Sequence, residues 1–407
     1  MYKKIKVAIK NKLLQNKLKK ANNLFKLDIS ALNSKRVLII DDIIPEFNKD
    51  SGSRRLTEII KLLLKNKVSV FLIGDLKEYK YKSSYIEKFK NLGVIVYEPS
   101  IDEKGNLITK EGFIKKIAPL LNVAWLHRPG IFDKYYKVIK ESNENVELIF
   151  DMVDFHYLRL LREWELDKTN SNLKIQAQKH LAIEINNCKQ ADKIIVISDL
   201  DKASLKEHYP TTDKMISIGN VHQFQEINED FKSFENRSNL LFIGGFKHTP
   251  NVDAVLFLKN EIMPIVWSSN PNICVNVVGS YPTDKVITLN SDKFKVIGFV
   301  EDVSGYLKNS KLFVAPLRYG AGIKGKIGQS FEYSLPVVTT SIGAEGFDFG
   351  EFKDQMIANN AQNIANKIIE LYSNGTLWNA VSATSSAIIQ PFSKEENERK
   401  ICEILGV

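Results

Sequence analysis

The sequence predicts an α/β protein made of two doubly wound, Rossmann-like domains that face each other across a cleft. The chain has 407 residues, of which 44% are hydrophobic, so each of two domains can bury an ordinary core. Short apolar runs alternate with longer amphipathic ones, which is typical of parallel β/α units. The alternation restarts after a polar stretch at Glu226–Ser238. Because such sheets bind ligands at the carboxyl ends of their strands, we expect the site in the cleft between the domains.

The order of the apolar runs gives the predicted elements. Strands of the first half are predicted at Arg36–Asp42, Val68–Ile73, Val94–Tyr97, Asn122–Arg128, Val146–Asp151 and Lys193–Ser198, with helices that include Gly52–Lys65 and Leu173–Gln190. Strands of the second half are predicted at Leu240–Gly244, Ile273–Val278, Lys295–Ile297, Leu312–Ala315 and Pro336–Thr340, before a last helix at Lys394–Ile404. We expect an arm at 1–30, a first domain at 31–230 completed by a C-terminal helix at 392–407, and a second domain at 236–390.

The net charge of +9 is concentrated in the N-terminal arm. Residues 1–27 hold nine lysines and no acidic residue, whereas the whole chain has 57 basic and 48 acidic residues. A nucleic-acid enzyme would spread basic residues over its folded surface, so nucleic acid is not an expected partner. Apolar residues recur along the arm at helical spacing: Ile5, Ile9 and Leu13, then Leu14, Leu18, Ala21 and Phe25. Such a helix can lie on an anionic membrane surface, or it can be a solvated helix on the body of the protein.

Cysteine usage and hydropathy indicate the compartment. The chain has an odd number of cysteines without paired spacing, namely Cys188, Cys274 and Cys402. This argues against a disulfide framework or a thiolate metal site and suits a reducing cytosol. Lysine interrupts the apolar runs too often for a signal peptide or a spanning helix. We therefore expect a cytoplasmic protein, with peripheral attachment to the inner face of the cell membrane through residues 1–27 as an open alternative.

The most informative segment is Leu312–Thr340, where a predicted strand, a glycine-rich turn and a predicted helix start near Lys326 follow one another. Glycines let the backbone approach a ligand, and the N-terminus of a helix presents unpaired N–H groups. The pattern predicts a diphosphate-binding loop, with a turn carrying solvated lysines as the alternative. The residues concerned are Arg318, Gly320, Gly322, Lys324, Gly325 and Lys326.

The same glycines satisfy the G-x-G-x-x-G spacing of dinucleotide-binding proteins. Glu345 lies about twenty residues further on, so a nicotinamide-dependent enzyme is a formal alternative. However, the residues from Pro316 to Tyr319 separate the strand from the glycines by more than a tight Rossmann turn allows.

Residues 240–347 resemble the nucleotide-sugar-binding domain of the family 4 glycosyltransferases, which have the GT-B fold. The matching pieces agree in order and spacing: LLFIGGFKHTPNVDAVLFL, NVVGSYP, VIGFVEDV, APLRYGAGIKGKI and LPVVTTSIGAEGF. The first half resembles the family more loosely, through IIDDIIPEFNKDSGSRR, DMVDFHYLRLLRE and ADKIIVISDLDKASL. The resemblance covers about residues 35–390. It implies transfer of a sugar from a nucleoside diphosphate sugar, which acts as a co-substrate, with no separate cofactor.

The resemblance also implies roles on the donor side of the cleft. The loop after the first strand of the second domain would lie beside the diphosphate, with Gly244, Gly245, Phe246 and Lys247. Phe299 and Val300 would lie against the nucleobase. Gln329 stands where the family usually has a glutamate that binds the ribose. A glutamine can still accept a hydroxyl hydrogen bond there, without the charge.

Two departures from the family pattern concern charge. The pair of glutamates that the family usually has is replaced by Ala321 and Gln329, and the family's Arg and Lys fall on Gly245 and Asn251. The available cations are Lys247, Lys324 and Lys326. Fixed cations would stabilise the charge that develops on a leaving diphosphate, so we expect a catalytic role for Lys326.

The loop after the first strand is expected on the acceptor side. It contains Gly52, Arg54 and Arg55 and leads into a helix. Its arginines could contact an anionic acceptor such as a lipid-linked phosphate, or the segment could be a plain capped helix start.

The segment Asp151–Arg162 follows a predicted strand and carries candidate catalytic groups. Asp154 could accept the proton of an acceptor hydroxyl, and His156 could polarise that hydroxyl or orient the sugar. Arg159 belongs to the same group, and His127 and Arg128 are weaker candidates. The alternative is that Asp154 caps the next helix, with His156 in its first turn.

Asp199 and Asp201 spell a DxD motif of the kind that binds metal in other glycosyltransferases. Because Ser198 precedes Asp201 by three residues, we interpret the motif as a helix cap. No other metal-ligand spacing occurs, so a metal ion is not required.

Together, these features predict a glycosyltransferase that moves a sugar to a hydroxyl of a glycan or glycolipid, in bacterial surface polysaccharide biosynthesis. Family precedent favours retention of anomeric configuration. A nucleotide-sugar epimerase of the same fold and a non-catalytic nucleotide-sugar-binding module are the alternatives, and Ala321 and Gln329 support the latter.

Overall fold

A computed structural model describes residues 2–211, 213–225 and 233–407. It contains two parallel sheets whose strands are joined by helices, of seven and five strands. The predicted α/β class with two Rossmann-like domains is confirmed.

The first sheet has the strand order β3-β2-β1-β6-β7-β8-β9, and all its strands are parallel. A separate antiparallel hairpin, β4–β5, lies outside it. The bounds are β1 Lys35–Asp41, β2 Val68–Gly74, β3 Ile95–Val96, β4 Ser100–Ile101, β5 Leu107–Ile108, β6 Val123–His127, β7 Glu147–Asp151, β8 Lys193–Val196 and β9 Met215–Ser217. The helices are α1 Tyr2–Lys20, α2 Ser51–Lys65, α3 Ile86–Asn91, α4 Lys110–Ile117, α5 Pro129–Ser142, α6 His156–Leu166, α7 Ser171–Gln190 and α8 Asp199–Lys206.

The second sheet has the order β12-β11-β10-β13-β14 and is also parallel. Its strands are β10 Ser238–Ile243, β11 Val275–Val278, β12 Phe294–Gly298, β13 Ser310–Ala315 and β14 Val337–Thr339. The helices are α9 Thr249–Phe257, α10 Met263–Ser269, α11 Asp284–Ile287, α12 Ser304–Asn309, α13 Gly325–Glu332, α14 Ser341–Ala344, α15 Lys353–Met356, α16 Ala361–Ser373, α17 Gly375–Ala383, α18 Ser385–Ile389 and α19 Lys394–Leu405. A π turn, Leu258–Ile262, joins α9 to α10, and short 3₁₀ turns occupy Glu78–Lys80, Ala118–Leu120, Phe234–Asn236, Gly350–Phe352 and Gln390–Phe392.

Each sheet is the centre of its own hydrophobic core. In β1, Val37 to Ile40 are fully buried, as expected for a strand of a parallel sheet that is covered on both faces. The last helix, α19, returns to the first domain, where Ile401 and Ile404 join the first core. Glu398 of the same helix accepts from Lys65 and Asn66 at the end of α2. The chain therefore crosses between the domains twice.

The predicted strands and the structure differ mainly in two short elements. The β4–β5 hairpin and β9 were not predicted, because strands of two or three residues are too short to show a period. Of the predicted linker at 226–238, residues 226–232 lie outside the described residues. Its remainder forms a 3₁₀ turn and the start of β10.

The N-terminal arm is helical and rests on the first domain by one side. Gln15 donates to the Gly105 carbonyl over 2.7 Å, Leu24 pairs with Ile101, and the Phe25 ring packs edge-on against Phe113. The predicted apolar stripe is divided: Leu18 is buried, whereas the row of Ile5, Ile9 and Leu13 is more than half exposed. No helix in the described part of the chain is both long and apolar enough to span a membrane.

Candidate active site in the interdomain cleft

Each sheet reverses its strand order next to its first strand, between β1 and β6 and between β10 and β13. In doubly wound sheets ligands bind outside the carboxyl ends of the strands at this point. Loops at the carboxyl ends of the two sheets meet across the domains. Ser280 of the second domain donates to the Lys49 carbonyl of the first over 3.0 Å, for example. The two crevices therefore open into one cleft.

The glycine-rich loop after β13 has a backbone that requires glycine. Gly320 and Gly322 have φ values of +141° and +69°, which residues with a Cβ rarely adopt. Helix α13 begins at Gly325, in agreement with the predicted helix start. A Cβ on Gly325 would lie 2.8 Å from the Cβ of Ser51, so glycine here allows the two domains to come together. The loop thus offers backbone N–H groups and the N-terminus of α13 to the cleft.

Lys326 joins the two loops that were predicted to hold the diphosphate. Its ammonium donates to Oδ1 of Asn251 and lies 4.7 Å above the Phe242 ring. The Asn251 side chain in turn donates to the Gly245 carbonyl over 2.8 Å. Burial and the neighbouring Lys324 ammonium lower the pKa of Lys326 to about 7. Among the described residues, Lys326 therefore contacts a neutral partner and no acid.

Lys324 is buried and shares a carboxylate with the first domain. Its ammonium donates to the Gly322 carbonyl and lies 3.3 Å from Glu345. Arg162 of α6 binds Glu345 through two nitrogens, over 2.7 and 2.9 Å, and donates to the Gly320 carbonyl over 2.6 Å. Burial lowers the pKa of Lys324, although Glu345 and Asp201 act in the opposite direction. Arg162 thus clamps the glycine-rich loop from the opposite domain, a role that the sequence did not indicate.

Arg318 and Lys247, which were also expected at the diphosphate, are placed differently. Arg318 is engaged on its own domain, where its guanidinium pairs with Asp253 and covers the Phe257 ring. Lys247 is exposed, and its ammonium lies 3.6 Å from the centre of the Tyr281 ring. Arg318 is thus paired with an acid, and Lys247 lies beside an aromatic ring. Their roles at the diphosphate stay predictions.

The expected nucleobase side of the cleft carries two exposed aromatic rings. Phe299 and Tyr281 are 45% and 43% exposed, and the ammonium of Lys49 lies 5.9 and 5.8 Å from their ring centres. Val300 is partly buried against the second core, and Gln329 is partly buried on α13. Tyr281 was missed from the sequence, although it lies in the resembling segment NVVGSYP. Its φ of +55° is uncommon for a residue with a side chain and marks a constrained loop.

Asp154 has one free carboxylate oxygen. Its Oδ2 accepts from Arg159 over 2.7 Å, while Oδ1 is buried and has no hydrogen-bond partner among the described residues. Burial acts to raise the pKa of Asp154, but His156 and Arg159 outweigh it and the pKa is lowered. The group is therefore a carboxylate at neutral pH, and one of its oxygens has no hydrogen-bond donor among the described residues.

Asp154 does not cap helix α6, because a residue of α7 does so. Both oxygens of the buried Glu184 accept from the backbone of α6, over 2.9 Å from His156 and 3.2 Å from Tyr157. The His156 ring stacks on His180 at 5.3 Å and its Nδ1 lies 3.4 Å from Glu184. Glu184 was not predicted, since only the tertiary fold brings α7 to this turn. The helix-cap alternative for Asp154 is thus wrong.

The two arginines that were expected to face the acceptor both have partners in the protein. Arg55 is fully buried, and its guanidinium binds Asp151 over 2.9 Å and the Ile218 carbonyl over 3.0 Å. It belongs to the interior of the first domain, because this buried carboxylate needs a cation. Arg54 lies 2.7 Å from Glu332 of the second domain, which also accepts from His222 over 2.6 Å. Arg54 is therefore an interdomain contact.

Smaller groups complete the first-domain wall. A Cβ on Gly52 would make ordinary van der Waals contacts, 3.6 Å from Val153 and 3.7 Å from Arg128, so this corner has room for a small side chain. His127 is buried, and its Nε2 lies 3.6 Å from Oδ2 of Asp151 without a hydrogen-bond partner among the described residues. His248, which was not predicted, lies on the second-domain loop opposite Asp154. Desolvation by the cleft walls lowers the pKa of His248 to about 4, against the attraction of Asp154.

The DxD motif is a helix start, as predicted. Ser198 is the N-cap of α8, and its hydroxyl accepts from the backbone N–H of Asp201 over 3.0 Å. Asp199 points elsewhere and accepts from the Ser217 hydroxyl over 2.5 Å. In the part of the chain that the structure describes, no cluster of three or more His, Cys, Asp or Glu could hold a metal ion.

Comparison with known proteins places this cleft in a family. Residues 237–374 match the family described as "Glycosyl transferases group 1". Over 265 residues, 63% of this chain, the sequence is 23% identical to an uncharacterized 44.6 kDa protein in the cps region of Klebsiella pneumoniae. That match spans 61% of the length of the Klebsiella protein.

The whole chain is similar to solved glycosyltransferase structures. HepE of Anabaena, in complex with UDP and glucose, superposes with a TM-score of 0.67 at 13% identity, covering 91% of this chain and 99% of HepE. A TarM variant of S. aureus, in complex with fondaparinux, alpha-GlcNAc-glycerol and UDP, gives 0.70 at 12% identity over 92% and 100%. The pneumococcal O-GlcNAc transferase GtfA, with UDP and GlcNAc, gives 0.67 at 12% identity over 91% and 98%. At such identities the likeness shows the fold.

The class of protein follows from the family match over the second domain and from two facing parallel sheets with a common cleft. The second domain, over residues 237–374, matches the group 1 glycosyltransferases, and the chain has the GT-B fold.

Proposed function

We propose that the protein transfers a sugar from a nucleoside diphosphate sugar to a hydroxyl of a glycan or glycolipid acceptor. The observation that carries the proposal is the contrast across the cleft. In the described part of the chain, Lys326 lies at a glycine-rich loop without an acidic partner, and Asp154 on the other wall has one carboxylate oxygen without a hydrogen-bond donor. HepE, TarM and GtfA, which share the fold, are described with UDP bound, which supports a nucleotide donor here.

The donor's diphosphate would bind at the start of α13. The loop amides around Gly320 and Gly322 and the N-terminus of the helix suit negatively charged oxygens. Lys326 would add a full charge. When the bond between the sugar C1 and the diphosphate oxygen breaks, negative charge grows on the leaving group. A fixed ammonium in a cleft stabilises this charge more in the transition state than in the ground state.

The acceptor hydroxyl would bind at Asp154. The free Oδ1 can accept its hydrogen bond, and Arg159 holds the other oxygen so that the carboxylate keeps one orientation. A carboxylate with a lowered pKa is a weak base, so its main contribution is to position the hydroxyl. The new bond forms between the acceptor oxygen and C1, and the hydroxyl proton leaves with the diphosphate oxygen. This same-face arrangement is the retaining course that family precedent favours.

Neither a cofactor nor a metal ion is part of the proposal. The lysines would neutralise the diphosphate in the place that a divalent ion takes in metal-dependent transferases. The nucleotide sugar itself is the co-substrate.

Surface polysaccharide synthesis at the inner face of the cell membrane is the setting that we propose. The Klebsiella relative is described as a protein in the cps region. The exposed row of Ile5, Ile9 and Leu13 lies in an arm with nine lysines and no acid, which suits an anionic lipid surface and a lipid-linked glycan acceptor.

Sedimentation with vesicles tests the membrane contact. Vesicles that contain anionic phosphatidylglycerol should bind the protein, and neutral phosphatidylcholine vesicles should not. Replacing Ile5, Ile9 and Leu13 together by serine should abolish binding without changing turnover of soluble acceptors. Equal binding of that variant would show that the row does not enter the lipid interface.

Thermal stabilisation by a panel of nucleoside diphosphates and nucleotide sugars, with NAD and NADP as controls, tests the donor. A rise in Tm with one nucleotide series, lost in Lys326→Ala and kept in a variant of the exposed Lys353 (Lys353→Ala), would support the site. A rise only with NAD or NADP would overturn the transferase proposal. Turnover of the donor to an epimer without any acceptor would favour the nucleotide-sugar epimerase.

A further inference from the structure

The glycine-rich loop lacks the acid that the family has at Ala321, and the first domain brings another acid to this place. Gly322, the next residue, is buried. A Cβ on it would lie 3.8 Å from Cγ2 of Ile197 and 3.9 Å from Oδ2 of Asp201. Both neighbours belong to the β8–α8 turn of the opposite domain. A carboxylate from one domain therefore reaches the loop of the other where a side chain of the loop itself is missing.

Asp201 is not needed to cap its own helix. Ser198 is the N-cap of α8, and its hydroxyl accepts from the Asp201 backbone N–H. The same hydroxyl donates to Oδ2 of Asp201 over 2.7 Å, which fixes the direction of the carboxylate. Asp199, two residues earlier, is exposed and bonded to Ser217. Of the two acids in this motif, only Asp201 is buried at the cleft.

The charges around Asp201 also set it apart from a surface carboxylate. Burial raises its pKa to about 6, while Ser198 and the Lys324 ammonium act to lower it and Asp154 and Glu345 act to raise it. Three acids, Asp154, Asp201 and Glu345, thus act on the ammonium of Lys324. A buried acid among other acids is costly unless hydrogen-bond donors approach it.

We propose that Asp201 supplies, from the first domain, the carboxylate that hydrogen-bonds a hydroxyl of the donor sugar in place of the family's glutamate at Ala321. The sugar of a donor whose diphosphate lies on the glycine-rich loop extends from that loop into the cleft, and this step rests on the proposed function. Sugar hydroxyls are donors that a carboxylate binds strongly.

The assignment predicts that sugar binding and nucleotide binding depend on different residues. Asp201 would contact only the sugar, so the affinity for a nucleoside diphosphate should not depend on it. The sugar would then contact both domains. A bound nucleotide sugar should therefore hold the two domains together more strongly than a bound nucleotide without the sugar.

The test is Asp201→Asn, which keeps the shape and removes the charge. We expect kcat/KM for the nucleotide sugar to fall about 10- to 100-fold, the range for a hydrogen bond to a charged group. The Kd of the matching nucleoside diphosphate should stay within about twofold of the unchanged protein. Asp199→Asn is the matched control and should behave like the unchanged protein. Adding Ala321→Glu to Asp201→Asn should restore at least part of the lost kcat/KM.

The outcomes distinguish a sugar-binding role of Asp201 from a structural role, and a failure of this assignment from a failure of the proposed function. If Asp201→Asn lowers the free energy of unfolding along with kcat/KM, and adding Ala321→Glu restores neither, the residue serves the fold and the assignment is wrong. Equal loss of nucleoside diphosphate binding in Asp201→Asn would also overturn it, as would full activity of that variant. Absence of any nucleotide-sugar binding or turnover by the unchanged protein would instead overturn the proposed function.

Discussion

The two walls of the cleft carry charge in different ways. On the second-domain wall, Lys326 contacts the neutral side chain of Asn251. On the first-domain wall, Asp154 is paired with Arg159 of its own domain. A cation without an acidic partner is suited to an incoming anion, whereas a paired carboxylate keeps its charge and its orientation. The difference indicates that the donor is held by charge on one wall and the acceptor is positioned by hydrogen bonds on the other.

The largest effect is expected from removing the uncompensated cation. Lys326→Ala should lower kcat by about 10²- to 10³-fold, the range for loss of one preorganised group that stabilises transition-state charge. Steady-state kinetics with a saturating acceptor measure it, and the exposed Lys353→Ala is the control. If kcat were unchanged, the two walls would not differ in the way that we infer.

A smaller effect is expected on the first-domain wall. Asp154→Asn should lower kcat/KM for the acceptor by about 10- to 100-fold, because a hydroxyl loses a charged hydrogen-bond partner. Donor affinity, measured by calorimetry without acceptor, should not change. A loss of donor affinity equal to the loss of activity would assign Asp154 to the donor.

The pH dependence of donor affinity sharpens the contrast. The pKa of Lys326 is lowered to about 7 in the free cleft, and a bound diphosphate would raise it. Affinity gained from the ammonium is therefore complete below pH 7 and is lost as the pH rises through 7. We expect nucleotide-sugar affinity to weaken about tenfold between pH 6 and pH 8.

Lys326→Arg provides the control for this pH profile, since a guanidinium stays charged throughout the range. The profile of this variant should be flat over the same interval. A slope that persists in the variant would place the titrating group elsewhere.

The smallest effect is expected at the ion pair between Arg54 and Glu332, which joins the two walls. Glu332 is buried and accepts from Arg54 of the first domain and from His222. Glu332→Gln should lower the free energy of unfolding by about 1–3 kcal/mol, because it leaves buried donors less well paired. Denaturant titration measures this loss. Glu403→Gln, at an exposed acid that meets only Arg399 of its own helix, should change stability by less than about 0.5 kcal/mol.

Much of the fold and part of the site could be predicted from local sequence patterns. The strands and the start of α13 agree with prediction to within a few residues, since buried parallel strands are continuous apolar runs. The Ser198 cap was also predicted, because a cap is a contact between residues close in sequence. The site roles of Lys326, Asp154 and His156 stay predictions, with a geometry that suits them.

The parts that were not predicted depend on residues distant in sequence. Glu184 replaces Asp154 at the start of α6, Glu345 joins Lys324 to Arg162, and Arg55 is taken into the interior by Asp151. No local pattern distinguishes an arginine that faces a cleft from one that meets a buried carboxylate. Burial and partners distant in sequence decide between these two positions, and both depend on how the chain packs.

The sequence by itself determined the two doubly wound domains, the glycine-rich loop with its lysines, and the resemblance to a glycosyltransferase family. These features depend on hydrophobic periodicity, on glycine positions and on motif spacings, all of which extend over a few residues. The tertiary structure alone decided which charges remain available in the cleft. Lys326 keeps a neutral partner and Asp201 reaches Gly322 from the opposite domain, since a charge is neutralised by whatever the fold brings within a few ångströms of it.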